Sequence, residues 1–365
     1  MAMPVEAALP PGSTIGILGG GQLGRMLALA AAPLGFHCHI YCPEAESPAF
    51  DVSAARTIAR YDDVPALDAF ARSVDVVTYE FENVDVAAVQ RIAAIVPVRP
   101  GSKALAVSQD RLTEKTFLRG LGIPTAPFAV VSDWPSLQAA IVALGLPAIL
   151  KTRRFGYDGK GQVLVGSTEE AAAALTSIAG APAILEGFVP FTREISIIGV
   201  RGVDGATAAY DVAENNHKAG ILDTSTVPSG VGDIGAAEAT RIVQRMLAAL
   251  DYTGVIGVEF FVTGEGRDQR LLVNEFAPRV HNSGHWTIDA CAVSQFENHV
   301  RAVAGWPLGP TTRHADAWMA NLIGDDVGSW QGLASDPTAR LHLYGKRGAR
   351  PGRKMGHVTR LMPRS

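Results

Sequence analysis

The chain has 365 residues, 47% hydrophobic and 19% charged, with a formal net charge of −4. That length suits two or three domains of roughly 100–200 residues each, and the composition excludes a disordered chain. The acidic balance gives no support to a general nucleic-acid or anionic-membrane binder, so any anion site must come from a local cluster.

Taken in chain order, MAMPVEAALPPGS lacks the basic and apolar regions of a signal peptide. No apolar run approaches the ~18 residues that span a bilayer, and a cytoplasmic protein with no membrane partner is expected. Thr14 to Leu18 reads as a strand, followed by GGGQLG and a helical pattern through Leu27 and Leu34. Cys38 to Cys42 and Asp75 to Phe81 are further strands, with helices at Val64 to Arg72 and Val86 to Ile95. This alternation implies a parallel sheet. Cys38, Cys42 and Cys291 have no metal-ligand spacing, and Cys38 and Cys42, in the apolar stretch HCHIYC, read as buried thiols.

From Ser108 a helix runs to Gly122 and Pro124, marking the entry to a second domain. Strands follow at Ala148 to Lys151, Val163 to Val165, Ala183 to Glu186 and Glu194 to Val200. An alanine-rich helix covers Ala171 to Ala174, and a longer one spans Ala236 to Leu250. Val255 to Val262 and Leu271 to Phe276 form a strand pair, and Pro307 and Pro310 mark the start of a small C-terminal unit. The resulting division is 12–107, 108–306 and 307–365.

Gly19, Gly21 and Gly24 fit GxGxxG between a strand and a helix, with Glu44 twenty residues further on. That is a dinucleotide-binding arrangement, and alone it suggests an NAD-dependent dehydrogenase. A tight strand-to-helix turn without ligand is the competing explanation.

Three other segments supply the parts of ATP chemistry. Lys151 at a strand end precedes the loop GYDGKGQ, comprising Gly156, Tyr157, Asp158, Gly159, Lys160, Gly161 and Gln162. A lysine neutralises phosphates there while backbone N–H groups close over them. EGFVPFTRE, with Glu186, Gly187, Phe188 and Val189, is an apolar linker suited to adenine, and Glu194 to ribose. Glu259 in GVEFF, with Asn274 and Glu275 in LLVNEFAPR, makes an oxygen-rich site suited to magnesium. Carboxylates within apolar strands are costly unless they meet a cation or donors.

In this order the segments resemble the ATP-grasp fold. GGGQLGRM, GYDGKGQ, PRVHNSGHWT and YGKRGARPGRKMGHV further resemble its carboxyaminoimidazole ribonucleotide synthase family. The resemblance implies a mixed α/β and α+β fold: an N-terminal open parallel sheet, Rossmann-like and preceding the ATP-grasp core, then that core, then a small C-terminal β-rich unit. It implies that ATP and bicarbonate carboxylate aminoimidazole ribonucleotide through carboxyphosphate. Magnesium is the expected metal, with manganese as the alternative, and the protein is expected to be a homodimer.

By the same resemblance, Arg111 and Lys151 meet the ATP phosphates under the Gly156 to Gln162 lid, and His217 lies near the nucleotide. Glu259 and Glu275 hold the metal beside Asn274. Arg279, His281 and Asn282 follow Glu275 in sequence and are assigned to bicarbonate. Gln22, Leu23, Glu80 and Glu82 border the ribonucleotide, and Lys346, Arg353 and Lys354 take its phosphate. His281 and His285 have i,i+4 spacing, but the intervening Asn-Ser-Gly reads as a loop and argues against zinc there. The rival activities are a formate-dependent ribonucleotide transformylase and a biotin carboxylase, though no biotin-accepting segment is visible. A non-catalytic ATP-binding subunit is disfavoured by the full set of carboxylates and basic groups.

Overall fold

The computed structural model describes residues 8–156 and 159–365. Three sheets follow one another along the chain. The first is parallel, in the order β3-β2-β1-β4, built from β1 (Thr14–Leu18), β2 (His37–Cys42), β3 (Ala55–Ile58) and β4 (Val76–Tyr79). Its helices are α1 (Gln22–Ala31), α2 (Val64–Ala71) and α3 (Val86–Ala93). The short, largely exposed β3 has no apolar alternation, which is why its sequence does not announce it.

Helix α4 (Ser102–Ser108) leads into α5 (Arg111–Gly120). The helix expected to begin at Ser108 therefore begins at Arg111. Asp110 interrupts it and caps α5, accepting hydrogen bonds from Leu112 N at 3.0 Å and Thr113 N at 3.1 Å, which satisfies N–H groups that have no helical partner.

The second sheet is antiparallel, in the order β5-β8-β6-β7, from β5 (Phe128–Val131), β6 (Ala148–Thr152), β7 (Gln162–Val165) and β8 (Ala183–Gly187). Helices α6 (Trp134–Leu144) and α7 (Thr168–Ser177) cover it, sharing an apolar core that includes Leu137, Leu150 and Ala171.

The third sheet has the order β14-β13-β9-β11-β12-β15-β17-β16, with β10 paired to β9. Its strands are β9 (Arg193–Arg201), β10 (Thr207–Ala209), β11 (Ala213–Lys218), β12 (Ile221–Val227), β13 (Gly254–Thr263), β14 (Arg270–Ala277), β15 (Asp316–Ile323), β16 (Ala339–Leu343) and β17 (Lys354–Met362). Helix α8 (Gly232–Ala249) packs its Ile242, Val243, Met246 and Leu247 against this sheet. Helices α9 (Thr287–Ala290), α10 (Gln295–Val303) and α11 (Trp330–Ser335) complete the order. The strands beyond Pro307 extend the central sheet through the β12–β15 pairing, rather than folding back on themselves alone.

Helix α10 ties the first sheet to the third. Val255 N donates to His299 Nδ1 at 3.1 Å, so His299 carries its proton on Nε2, which lies 2.8 Å from Thr78 Oγ1. Burial pushes the His299 pKa down to about 3, so the imidazole stays neutral and serves as a fixed spacer. Among the described residues no helix is long and apolar enough to cross a membrane.

Candidate active site

The early glycine turn binds a carboxylate of its own chain. Glu80, just beyond β4, accepts hydrogen bonds from the backbone N–H groups of Gly21 and, at 2.6 Å, Gly24. A Cβ at Gly19 would lie 2.4 Å from Glu80 Cγ, and one at Gly21 would lie 2.7 Å from its Oε1. The glycine spacing therefore accommodates Glu80 where a dinucleotide phosphate would have to sit. The dehydrogenase reading loses its binding site. Gln22 and Leu23 open helix α1 directly above this turn.

A cleft opens between the first sheet, α5 and the edge of the third sheet, lined by residues including Glu82, Arg111, Glu259, Glu275, Arg279 and His281. Glu259 and Glu275 stand opposite each other on β13 and β14, next to a register shift at Glu259/Phe260. Desolvation and the neighbouring Glu275 push the Glu259 pKa up to about 7. Burial also opposes ionisation of Glu275, but Arg111 and Lys151 overcome it and hold its pKa below the usual value. Arg111 Nη1 lies 2.9 Å from Glu275 Oε2. Asn274 Oδ1 is buried without a hydrogen-bond partner. Two close carboxylates, one resisting ionisation beside its neighbour, with an orphaned amide oxygen, form an all-oxygen donor set that fits a hard divalent cation such as magnesium.

Beside this pair lies a buried cationic cluster. Glu186 at the end of β8 accepts from Lys151 Nζ at 3.0 Å, and Lys115 Nζ lies 3.3 Å from its other oxygen. Lys115 is fully buried and also donates to Asn274 O at 3.0 Å. Sequence reasoning missed Lys115. Its signal was present: it stands one helical turn after Arg111, so both cations share a face of α5. Glu114 was missed as well. Its Oε1 accepts from Phe276 N at 2.8 Å, and burial together with Glu275 raises its pKa to about 8.

The Glu186 side chain thus sits between lysines, while Gly187, exposed Phe188 and buried Val189 continue into the linker. Glu194 at the start of β9 pairs with His217 Nδ1. Burial lowers the His217 pKa, but the Glu194 hydrogen bond and the charge of Glu259 prevail and raise it. Over this region hangs the β6–β7 loop. Gly159 and Gly161 have φ of +77° and +70°, and a Cβ at Gly159 would come within 3.2 Å of Gly220 Cα in the β11–β12 turn. Glycine is needed there for both conformation and clearance. Lys160 and Gln162 belong to the described part of the loop; Tyr157 and Asp158 lie outside the described residues.

The turn after β14 carries the next group. Arg279 Nε pairs with Glu82 Oε2 at 2.5 Å, and its Nη1 donates to Val280 O at 3.1 Å. His281 Nε2 lies 3.4 Å from Glu259 Oε1, joining this turn to the carboxylate pair. Burial, followed by the charge of Arg279, holds the His281 pKa well below its usual value. Gln295 clamps the His281 backbone, accepting from its N–H at 2.9 Å and donating to its carbonyl at 2.6 Å. Both side-chain polar atoms of Asn282 are buried without partners. As the sequence suggested, His281 and His285 do not share a helix: Asn282–Gly284 is a 3-10 turn.

The basic C-terminal turn reaches back to the first sheet, where Arg347 pairs with Glu46 across the two parts of the chain. Lys346 Nζ donates to Lys354 O at 2.7 Å, and Arg353 Nη1 donates to the carbonyls of Arg347 and Gly348 at 2.6 and 2.8 Å. Lys346 acts electrostatically on Glu80, and Lys354 on Glu82 and Glu259. The Arg347–Glu46 pair thus joins residues more than 250 positions apart in sequence.

Residues 13–109 match the ribonucleotide synthetase preATP-grasp domain, 116–296 the ATP-grasp domain, and 317–364 the phosphoribosylaminoimidazole carboxylase C-terminal domain. The N5-carboxyaminoimidazole ribonucleotide synthase of Brucella melitensis is 55% identical over 362 residues, covering 99% of each chain. This chain belongs to the N5-carboxyaminoimidazole ribonucleotide synthase family. A solved ADP complex of a family synthetase superimposes with a TM-score of 0.94 at 40% identity, covering 98% of this chain and 94% of that one. The Aspergillus clavatus enzyme, solved with ADP and 5-aminoimidazole ribonucleotide, gives a TM-score of 0.90 at 32% identity, covering 97% and 95%. The family is one of ATP-grasp ligases; the first matched segment holds the parallel sheet, the second holds the second sheet and strands β9–β14 of the third, and the last adds β15–β17 to that third sheet.

Proposed function

We propose that the protein carboxylates 5-aminoimidazole ribonucleotide with bicarbonate at the expense of ATP, giving N5-carboxyaminoimidazole ribonucleotide, ADP and phosphate in de novo purine biosynthesis. The observation that carries this reading is the meeting of Glu259 and Glu275 with His281 and Arg279 in one cleft, in a chain that matches family synthases over nearly its full length. A nucleotide site and an acceptor site then share a wall.

ATP binds with adenine on the Glu186–Val189 linker and ribose at Glu194 and His217. Lys151, Arg111 and Lys115 surround its phosphates, and the Gly156–Gln162 loop covers them. Glu259 and Glu275, with Asn274 beside them, hold magnesium, or manganese in its place. The ion supplies charge neutralisation at the phosphates. Arg279 and the orphaned amide of Asn282 orient bicarbonate, and neutral His281 supplies a hydrogen-bonding edge without adding charge. A bicarbonate oxygen attacks the γ-phosphorus, the bond to ADP breaks, and carboxyphosphate forms. The exocyclic amine then takes the carboxyl carbon, either directly from carboxyphosphate or as carbon dioxide released from it in the closed site; phosphate leaves, and the amine loses a proton. Fixed cations and exclusion of water stabilise the charge that develops and protect the labile intermediate.

The ribonucleotide lies between Gln22, Leu23 and Glu82 on one side and Lys346, Arg353 and Lys354 on the other. Glu80 acts from below by shaping the turn that presents Gln22 and Leu23. The test is ADP release with bicarbonate, with and without the ribonucleotide, together with detection of the acid-labile carboxylated product. The expected outcome is bicarbonate-dependent ADP release that the ribonucleotide stimulates. ADP release driven by formate, with a formylated product, would replace this reading by the transformylase.

A further inference from the structure

Residues 109–111 join helices α4 and α5, and each of the three reaches a different part of the structure. Arg111 Nη1 meets Glu275 on the third sheet, and its backbone N–H donates to Arg153 O at 2.9 Å. Asp110 takes the Arg153 side chain, whose Nη2 lies 2.8 Å from its Oδ2. Gln109 is the member that the reaction above does not use, although it too lines the cleft.

Gln109 is buried, and its amide is engaged at both ends. Nε2 donates to the carbonyls of Glu82 at 2.8 Å and Val84 at 2.6 Å, in the turn between β4 and α3. Oε1 accepts from Arg154 Nη2 at 2.9 Å, two residues before the Gly156–Gln162 loop. A primary amide carries two N–H donors and one carbonyl acceptor, so this side chain serves both partners at once. Glutamate at the same place would turn a carboxylate oxygen toward two carbonyl oxygens, and leucine would leave all three groups without this partner. The turn held by Nε2 is the one whose Glu82 carboxylate pairs with Arg279 Nε at 2.5 Å.

We propose, on the carboxylation reading above, that Gln109 is a positioning residue that ties the nucleotide half of the reaction to the acceptor half. It fixes the root of the phosphate-covering loop, through Arg154, against the turn that orients Arg279 through Glu82. Carboxyphosphate forms where bicarbonate on Arg279 meets the γ-phosphate, and water that reaches it returns bicarbonate and phosphate. A misplacement of about 1 Å between reacting groups costs up to roughly a hundredfold in rate. A loosened loop root also admits water to the labile intermediate. The link therefore acts on whether each ATP spent yields a carboxylated product.

The test is the number of ADP molecules released per carboxylated product, at saturating ATP, bicarbonate and ribonucleotide. Wild type should give a ratio of about one, because a closed site keeps the intermediate from water. Gln109→Leu should lower product turnover about ten- to a hundredfold and raise the ratio to roughly three or more, as the activated carboxyl group escapes. Arg154→Met, at an exposed position, breaks the same link from its other end without disturbing the core and should also raise the ratio. In the double variant it should add nothing to the effect of Gln109→Leu, since both remove one interaction. A merely structural role for Gln109 would lower the melting midpoint and the active fraction and leave the ratio unchanged. A wild-type ratio in either single variant, or effects that add in the double variant, overturns the proposal. Absence of bicarbonate-dependent ADP release from the wild type overturns the carboxylation reading itself, and the role of Gln109 with it.

Discussion

Glu259 and Glu275 face each other across β13 and β14, yet their surroundings push them in opposite directions. Glu259 is raised to about 7 by burial and by its neighbour, while Arg111 and Lys151 keep Glu275 ionised against the cost of burial. One member of the pair is thus set as a permanent anion, and the other becomes an anion readily only when a cation arrives.

Replacing Glu275 by Gln keeps size and most hydrogen bonding but removes the permanent charge. Turnover is expected to fall at least a hundredfold, corresponding to about 3 kcal/mol of barrier. Steady-state ADP release at saturating ATP and ordinary magnesium measures this. Near-normal turnover would remove Glu275 from the metal site.

The raised Glu259 makes a pH prediction with a definite sign. Its unfolded value is near 4.5 and its folded value about 7. Between these the folded protein holds more protons, so its contribution to stability falls as pH rises from about 4.5 to about 7. The melting midpoint of metal-free protein should show a decline in this window that Glu259→Gln reduces. Magnesium needs the ionised carboxylate, so magnesium affinity should weaken as pH drops below about 7. Calorimetric titrations at pH 6 and 8 with equal affinity would contradict the pairing.

Glu186 separates two buried ammonium groups, Lys115 and Lys151. Glu186→Gln leaves them facing each other without compensation, a loss of about 3–5 kcal/mol by comparison with other broken buried pairs. The melting midpoint should fall, and ADP should raise it more in this variant than in wild type, because phosphate oxygens replace the missing anion. An ADP-induced shift no larger than that of wild type would show that the lysines do not face the nucleotide.

Arg279→Ala should leave ATP affinity nearly intact and remove bicarbonate-dependent ADP release. It also strands partly buried Glu82, so Glu82→Gln in the same chain should recover stability without recovering activity. Recovery of both would mean that the pair only braces the cleft.

Arg353→Ala tests the basic turn. A charge-assisted hydrogen bond contributes about 1.5–3 kcal/mol, so the Michaelis constant for the ribonucleotide should rise roughly ten- to a hundredfold while that for ATP stays put. Because the guanidinium also holds the carbonyls of Arg347 and Gly348, the decisive readout is discrimination against the dephosphorylated nucleoside. Full discrimination with a raised constant assigns Arg353 to shaping the turn rather than to the phosphate.

Much of this was legible in the residues themselves. Strands such as Thr14–Leu18 and Gly254–Thr263 combine β-branched residues with apolar runs, and helices such as Val64–Ala71 and Gln295–Val303 begin at Asp63 and Ser294 caps. The carboxylates of Glu259 and Glu275 stood out because charge inside an apolar strand requires compensation. By contrast, β11 reads AENNHK and β16 reads ARLHL, half-exposed patterns that become strands only through partners elsewhere in the chain. Propensity is weak there and tertiary pairing decides.

The sequence by itself determined which chemistry was available: the glycine loops, the acidic strand ends and the basic turn, whose residue types limit what each can bind. Tertiary structure decided which of them meet. Only the fold puts Glu80 inside the glycine turn, sets Lys115 beside Glu186, and brings Lys354 within electrostatic reach of Glu82 and Glu259. Local sequence fixes periodicity and turn geometry over a few residues. Contacts between residues from 56 positions apart (Gly24 and Glu80) to 272 (Glu82 and Lys354) depend on how three sheets pack, and Coulomb and hydrogen-bond energies act on distance in space.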